Sequence, residues 1–274
     1  MRAAILVPAV AAGLILLSGC DIEDLAGARY DRDFHYSFPL NSNGRVSVET
    51  FNGSIEVSGW DQNNVDISGT KHGPTQDVAD SLDVGVDHSP SLVTIHVQRP
   101  SMHRGNMGAK FVIKVPRTAV VELLSSSNGG IRVTDAAGPA RLRTSNGGIR
   151  IAGLSGGLEA HTSNGSITAD LDRVDGEVRL ETSNGSIELR LPDRIREGVR
   201  AHTSNGGITL RVPEGLDARL SAHTSNAHVS SDFDVRTQGE IGRNRLEGLI
   251  GKGGPLLDLS TSNGGIRLTR ISTP

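Results

Sequence analysis

The sequence predicts an all-β fold, a β-solenoid in the manner of a parallel β-helix, and three observations carry that prediction. A hexad, Thr-Ser-Asn-Gly-(Gly/Ser)-Ile, recurs along the chain at a nearly constant interval. Fixed offsets from its asparagine hold aliphatic residues in period-2 alternation, which is how strands with one buried face are written. Aromatic residues are only 3%, while glycine is 34 of 274 residues, about 12% against a usual ~7%. That combination suits a slim aliphatic core with many tight corners.

The repeat asparagines are Asn128, Asn146, Asn164, Asn184, Asn205, Asn226 and Asn263, with spacings of 18, 18, 20, 21, 21 and 37. The last spacing is about twice the unit, which predicts a degenerate or replaced coil between 230 and 258. An earlier copy, Thr50 to Ile55 around Asn52, stands 76 residues before Asn128, about four units away. Four residues before each asparagine stand Leu124, Leu142, Ala160, Leu180, Ala201, Ala222 and Leu259; two before it, Ser126 and then Thr144, Thr162, Thr182, Thr203, Thr224 and Thr261. Three after it stand Ile131, Ile149, Ile167, Ile187, Ile208, Val229 and Ile266. Each unit therefore reads as strand, Asn-Gly corner, strand and second turn.

Two short strands and a turn are marginal alone. Stacked at about 4.8 Å, the inward aliphatics become continuous ladders. Asparagine and glycine suit a corner with positive φ, and identical asparagines can stack as an amide ladder. A β-meander would also use Asn-Gly turns, but does not require the same residue types in the same columns of every unit. A left-handed hexapeptide β-helix would place an aliphatic residue at every sixth position, which these unequal offsets do not. The spacings do not fix the hand of the coil; a right-handed winding is the expectation.

Residues 34–124 carry alternating strands of less regular spacing and read as a β cap on the N-terminal end. Residues 125–274 read as the repeat solenoid, with an inserted loop or helical turn near 232–256. No segment reads as a long helix.

At the N-terminus, Arg2 precedes an apolar run from Ala3 to Leu17 that ends Leu17-Ser18-Gly19-Cys20. About fifteen residues is short for a membrane span, which needs ~20, and suits a secretory signal. The end resembles the bacterial lipobox, which implies cleavage after Gly19 and a lipid (palmitate among its acyl chains) on Cys20. An ordinary signal peptide with a chance cysteine is the alternative. Residues 1–19 are thus read as a lipoprotein signal peptide and 20–33 as a tether, which anchors the chain to an inner or outer membrane of a bacterial envelope.

Lys+Arg 28 against Asp+Glu 31 gives a net charge of -3, which argues against a nucleic-acid binder. One cysteine excludes an internal disulfide framework and a Cys-rich zinc site. No phosphate loop or dinucleotide fingerprint occurs, and no cofactor is expected. Gly153 to Gly157 matches G-x-S-x-G, but in a coil turn without the helix that a nucleophile elbow needs. Two outward columns hold the candidate binding residues. One reads Arg143, His161, Glu181, His202 and His223, in which His202 and His223 are candidates for a shared metal. The other reads Arg141, Glu159, Arg179 and Arg200, in which Arg179 and Arg200 are candidates for contacting an acidic glycan. Both columns read equally well as solvated charged faces.

With these hexads laid out, residues 34 to 270 resemble a bacterial candidate-adhesin family of unknown function, whose members carry multiple Ser-Asn-Gly-x-Ile coils. Val46 to Val57, followed by Gly59-Trp60-Asp61, belongs to the same resemblance. It implies an envelope-located β-solenoid and supplies no catalytic residues. Asn226-Ala227-His228 and the gap before Asn263 depart from the pattern. The expected function is a non-enzymatic, lipid-anchored surface scaffold whose partner is a glycan or an envelope protein. Two alternatives are a polysaccharide lyase or hydrolase, which would need a cluster such as Asp232, Asp234, Arg243 and Arg245, and a structural envelope protein that self-associates through its coil edges.

Overall fold

The computed structural model describes residues 29–100, 105–237 and 242–271. The segment read from sequence as signal peptide and lipobox, with Cys20, lies outside the described residues. Among the described residues the chain is all-β, with two long sheets of 12 and 11 strands. The strands before the asparagines form a leading sheet and those after them a trailing sheet. Within both, the repeat strands pair in parallel, as Leu158–Thr162 does with Ala140–Thr144 and Val178–Thr182. Parallel pairing is what a solenoid requires and a meander cannot supply.

The inward columns form one continuous core. Leu142, Leu180, Ile167, Ile187, Leu189 and Leu210 are all at most 1% exposed. A fully buried side chain of this size contributes roughly 1.5–3 kcal/mol, so a single unit is weak and the stack is strong. Every aromatic residue stands at position 111 or before, except Phe233. The low aromatic content is thus a property of the coils, and aromatics appear where the coil ends. At the N-terminal end Phe34 meets buried Phe111 edge-on at 5.6 Å, and Phe38 stacks on His88 at 4.0 Å.

The threonine column is buried yet satisfied. Thr144, Thr162, Thr182, Thr203 and Thr261 each donate at 2.9 Å to a glycine carbonyl of the neighbouring rung. Each also accepts from the glycine N–H of its own corner, as Gly165 N to Thr162 Oγ1 at 3.2 Å. Thr50 is the exception: its Oγ1 is buried without a partner.

The asparagines stand in a single file. Asn128, Asn146, Asn164, Asn184 and Asn205 each donate their side-chain N–H to the Oδ1 of the preceding asparagine at 2.6–2.7 Å. Asn52 begins the file, donating to the Met107 carbonyl at 3.0 Å. The file continues from Asn205 to Asn263 at 2.8 Å and from Asn263 to Asn226 at 2.7 Å.

That order differs from the chain order at both ends. The Asn52 rung is not four units from Asn128 but directly beside it: Arg45–Thr50 pairs with Val120–Ser126, and Ile55–Trp60 with Ile131–Thr134. The cap expected over 34–124 therefore contains true rungs. Outside the Asn52 rung lies another, made of Leu92–Gln98 and Gly108–Pro116. Antiparallel strands then cover it: Asp83–Ser89 on one sheet, Asn64–Gly73 and Tyr30–Pro39 on the other. Residues 30–33, read from sequence as tether, are part of that last strand. A short helix, Gln76–Ser81, is capped by Thr75, whose side chain accepts from Val78 N.

At the other end the last coil is inserted. Leu256–Thr261 lies between Val199–Thr203 and Ala218–Thr224, and Ile266–Arg270 lies between Ile208–Val212 and Val229–Ser231. Among the described residues between 230 and 258 an insertion stands in place of a further rung. That stretch holds the strand Arg245–Ile250, antiparallel to Ala218–Thr224, with Arg236–Thr237 against its far side. It covers the sheet end, and the chain then turns back into the stack through Gly251 and Gly253, at φ 59 and 81.

The glycines after the asparagines do not serve positive φ, as the sequence suggested. Only Gly53 has it, and no repeat asparagine does. They are set by stacking: a Cβ on Gly147, Gly165, Gly185, Gly206 or Gly264 would stand 1.9–2.0 Å from the carbonyl oxygen of the corresponding glycine one rung away. The next position faces the opposite neighbour more loosely. A Cβ on Gly130 or Gly148 would lie 3.4 Å from the nearest carbonyl, which is why serine alternates with glycine there, at Ser54, Ser166 and Ser186.

Candidate functional site

A solenoid presents its outward columns as flat faces, so a site here is a set of neighbouring rungs. On the leading sheet the charges satisfy one another. Glu159 accepts from Arg141 Nε and Arg143 Nη2, both at 2.8 Å. The hydrogen bond from Arg143, followed by that from Arg141, holds its carboxyl below the usual carboxylate range. Glu181 lies 3.2 Å from Arg179 and 3.7 Å from His161.

Arg179 and Arg200, the residues expected to contact a glycan, are therefore not free. Arg179 is paired with Glu181, and Arg200 with Asp258 at 3.2 Å. Asp258 arrives only because the last coil is inserted beside Val199–Thr203. The same insertion separates His202 from His223. Ser260 stands between them in register with both, and His202 Nδ1 is 2.9 Å from Ser260 Oγ. Two strand spacings, roughly 9–10 Å of backbone, part the two histidines, so they are not on adjacent rungs as their order in the sequence suggested.

Of the residues that an enzyme reading would draw on, Asp232 and Arg245 have other partners. Asp232 accepts from Arg270, through its carboxylate from the backbone N–H at 3.3 Å and through its carbonyl from Nε at 2.9 Å. Arg245 pairs instead with Glu247 at 2.6 Å. Ser155 of the G-x-S-x-G match ends the strand Ile149–Ser155, and the next element is the strand Leu158–Thr162. Away from the columns, His72 is buried in the N-terminal layer. Its burial, and then Arg29, hold its pKa below the ordinary imidazole value, and its Nδ1 has no partner.

The trailing sheet differs. Arg190 pairs with Asp170 at 3.0 Å and Arg211 with Glu188 at 2.5 Å. Arg132 and Arg150 form no ion pair among the described residues, although they are exposed and directly opposed in adjacent strands. Glu56 is in register with Arg132 on one side, and Thr168 with Arg150 on the other. Beside the two arginines runs a shallow trough of ≈ 270 Å³, floored by Gly130 and Gly148 and bounded by Ser54 and Ser166. A second hollow of ≈ 690 Å³ opens on the same face, where Asp33, Thr70, His35 and Lys110 meet Val112. There Thr70 already donates to Asp33 at 2.7 Å, and His35 lies 2.8 Å from Asp66.

Sequence reasoning passed over Arg132 and Arg150. Their signal was the fourth position after the asparagine, which reads Glu56, Arg132, Arg150, Thr168, Glu188, Thr209, Ser230 and Arg267. Two successive repeats carry arginine there with no acid between them.

No curated protein matches this chain. Among solved structures, the chain is similar to a candidate cell-adhesion protein from Clostridium sporogenes at 11% identity, covering 88% of this chain and 100% of that one, with a TM-score of 0.41. It is similar at 12% identity to a candidate adhesin from Bacteroides fragilis, covering 87% and 97%, with a TM-score of 0.41. A candidate adhesin from Parabacteroides merdae is 10% identical over 87% and 96%, with a TM-score of 0.39. The family described as Toastrack DUF4097 matches residues 45–212, from the first strand of the Asn52 rung to the last of the Asn205 rung. That match covers more than half of the chain, which therefore belongs to the Toastrack DUF4097 family.

Proposed function

We propose that the protein is a non-enzymatic, lipid-anchored component of a bacterial cell envelope that presents a rigid β-solenoid surface as a binding scaffold or adhesin. The observation that supports this reading best is the uninterrupted asparagine file. Its seven steps from Asn52 to Asn226 span roughly 34 Å at about 4.8 Å per step. Surface side chains are thereby held at fixed spacing along a straight face, which suits repeated contacts with an extended partner. The position of the anchor is compatible with display. Cys20 stands ten residues before Tyr30, where the outermost strand begins, and such a stretch reaches at most about 35 Å.

The reading is tested with Cys20→Ser. The natural protein is expected in the membrane fraction and to incorporate a palmitate analogue. The variant is expected in the soluble fraction without label. A wild-type protein found soluble, or a variant that stays with the membrane, contradicts the anchor. Shortened products on incubation with any polysaccharide contradict the non-enzymatic reading.

A further inference from the structure

We propose that the trough over Gly130 and Gly148 binds an acidic polysaccharide, with Arg132 and Arg150 each receiving a uronate carboxylate. This rests on the scaffold reading above and names the ligand class of that scaffold.

Arg132 and Arg150 are strand partners that both lack an ion pair among the described residues; Arg219 and Arg267 also lack one, but neither has an arginine beside it. Arginines 141, 143, 179 and 200 on one sheet, and 190 and 211 on the other, each stand within ion-pair distance of a carboxylate. Arg179 with Arg200, and Arg190 with Arg211, are likewise Cα partners in parallel strands, but each of those has its carboxylate, whereas Arg132 and Arg150 face each other without one. Like charges directly opposed on a sheet destabilise it. Glu56, in register with Arg132, forms no ion pair with it, and a local conflict left in this state is expected where a surface is shaped for something outside it.

The floor supports the same conclusion. Stacking does not demand glycine at 130 and 148, since a Cβ there would clear the neighbouring carbonyl by 3.4 Å and serine fills the same position at 54, 166 and 186. Glycine at these two positions leaves the peptide planes bare beside the arginines, and a pyranose ring can lie flat on them. The hydroxyls of Ser54, Ser166 and Thr168 border the trough and can bond to sugar hydroxyls.

The geometry favours a carboxylate-bearing chain. A guanidinium presents two parallel N–H groups that match a carboxylate. Adjacent rungs lie about 4.8 Å apart, close to the advance of one sugar residue in a linear polysaccharide, so consecutive uronates can meet consecutive arginines. Single-stranded nucleic acid relies on aromatic stacking platforms, and no aromatic side chain lines the trough. Glu56 at one end limits the cationic stretch to two rungs, which fits a discrete site better than a diffuse anionic surface.

The test uses the full chain carrying Cys20→Ser, with polygalacturonate as probe, neutral dextran and dextran sulfate as comparisons, and a neutral-glycan array alongside. The expected result is saturable binding of polygalacturonate, none of dextran, and a loss of about tenfold or more for each of Arg132→Gln and Arg150→Gln. Arg179→Gln with Arg200→Gln, on the other sheet, should leave binding unchanged. Thermal unfolding of the Arg132→Gln/Arg150→Gln protein should match or exceed that of the parent, because a like-charge pair is removed. Binding that survives both substitutions, or that falls equally with the other pair, overturns the site. So does dextran sulfate bound as tightly as polygalacturonate, which would indicate bulk charge. Saturable capture of a neutral glycan but not of polygalacturonate overturns the ligand class and leaves the scaffold reading standing, whereas cleavage of the probe overturns the scaffold reading itself.

Discussion

Gly165→Ala is expected to destabilise the protein by about 3 kcal/mol or more, one of the largest effects a single methyl group can have. The added carbon would stand 1.9 Å from the Gly147 carbonyl oxygen and 2.4 Å from its carbon. That carbonyl already receives the Thr162 hydroxyl, and both lie in backbone clamped by the rungs on either side. The corner cannot move outward without breaking the amide hydrogen bonds of Asn164 to Asn146 and of Asn184 to Asn164. Position 165 is also central, and in a solenoid a damaged middle rung uncouples the two halves. Gly148→Ser, one position further along its own corner, should change stability by less than about 0.5 kcal/mol. Chemical denaturation of the two variants checks the contrast. Alanine already stands at the equivalent position 227, in the terminal asparagine rung, where only one neighbour constrains the corner.

Ile266→Asp should be still more damaging, although it lies eight residues from the end of the chain. Position in the sequence suggests a fraying terminal repeat. Position in the stack says otherwise: Ile266 is 1% exposed and lies between Ile208 and Val229. A carboxylate there would be buried among aliphatics with no partner, at a cost of roughly 4 kcal/mol or more. Val229→Asp is the matched control. It occupies the same column earlier in the chain, but in the terminal rung of that sheet, where it is only half-buried. Its aspartate can turn to water, and about 1 kcal/mol is expected. Similar losses in the two variants would mean that the last coil is not inside the stack.

The columns were legible because identical offsets from seven asparagines leave little freedom. Leu142, Thr162 and Ile187 point inward, as the alternation requires. The reason for the corner glycine was not legible, because the carbonyl that excludes a Cβ at 165 belongs to another rung. Sequence alone offers only the local explanation, positive φ. The rung order was hidden for a related reason. Spacings of 76 and 37 residues measure distance along the chain, whereas stacking is decided by which strand edges meet. Asp258 beside Arg200 and Ser260 between His202 and His223 follow from that pairing. Ile131-Arg132 and Ile149-Arg150 are plain in the sequence, but that no carboxylate reaches either arginine depends on every neighbouring side chain.

The order of the rungs supports both the surface assigned here and the stability contrasts above, and paired cysteines measure it directly. In a protein with Cys20→Ser, His202→Cys and Ser260→Cys place thiols on adjacent, in-register strands, about 4.8 Å apart at the backbone and within reach of a disulfide. His202→Cys with His223→Cys places them two rungs apart, roughly 9–10 Å, beyond the ~7 Å limit. Mild oxidation should cross-link the 202–260 pair and leave the 202–223 pair as free thiols. A rapid 202–223 disulfide with no 202–260 product would mean that the coils stack in chain order, and the inserted last coil would have to be abandoned.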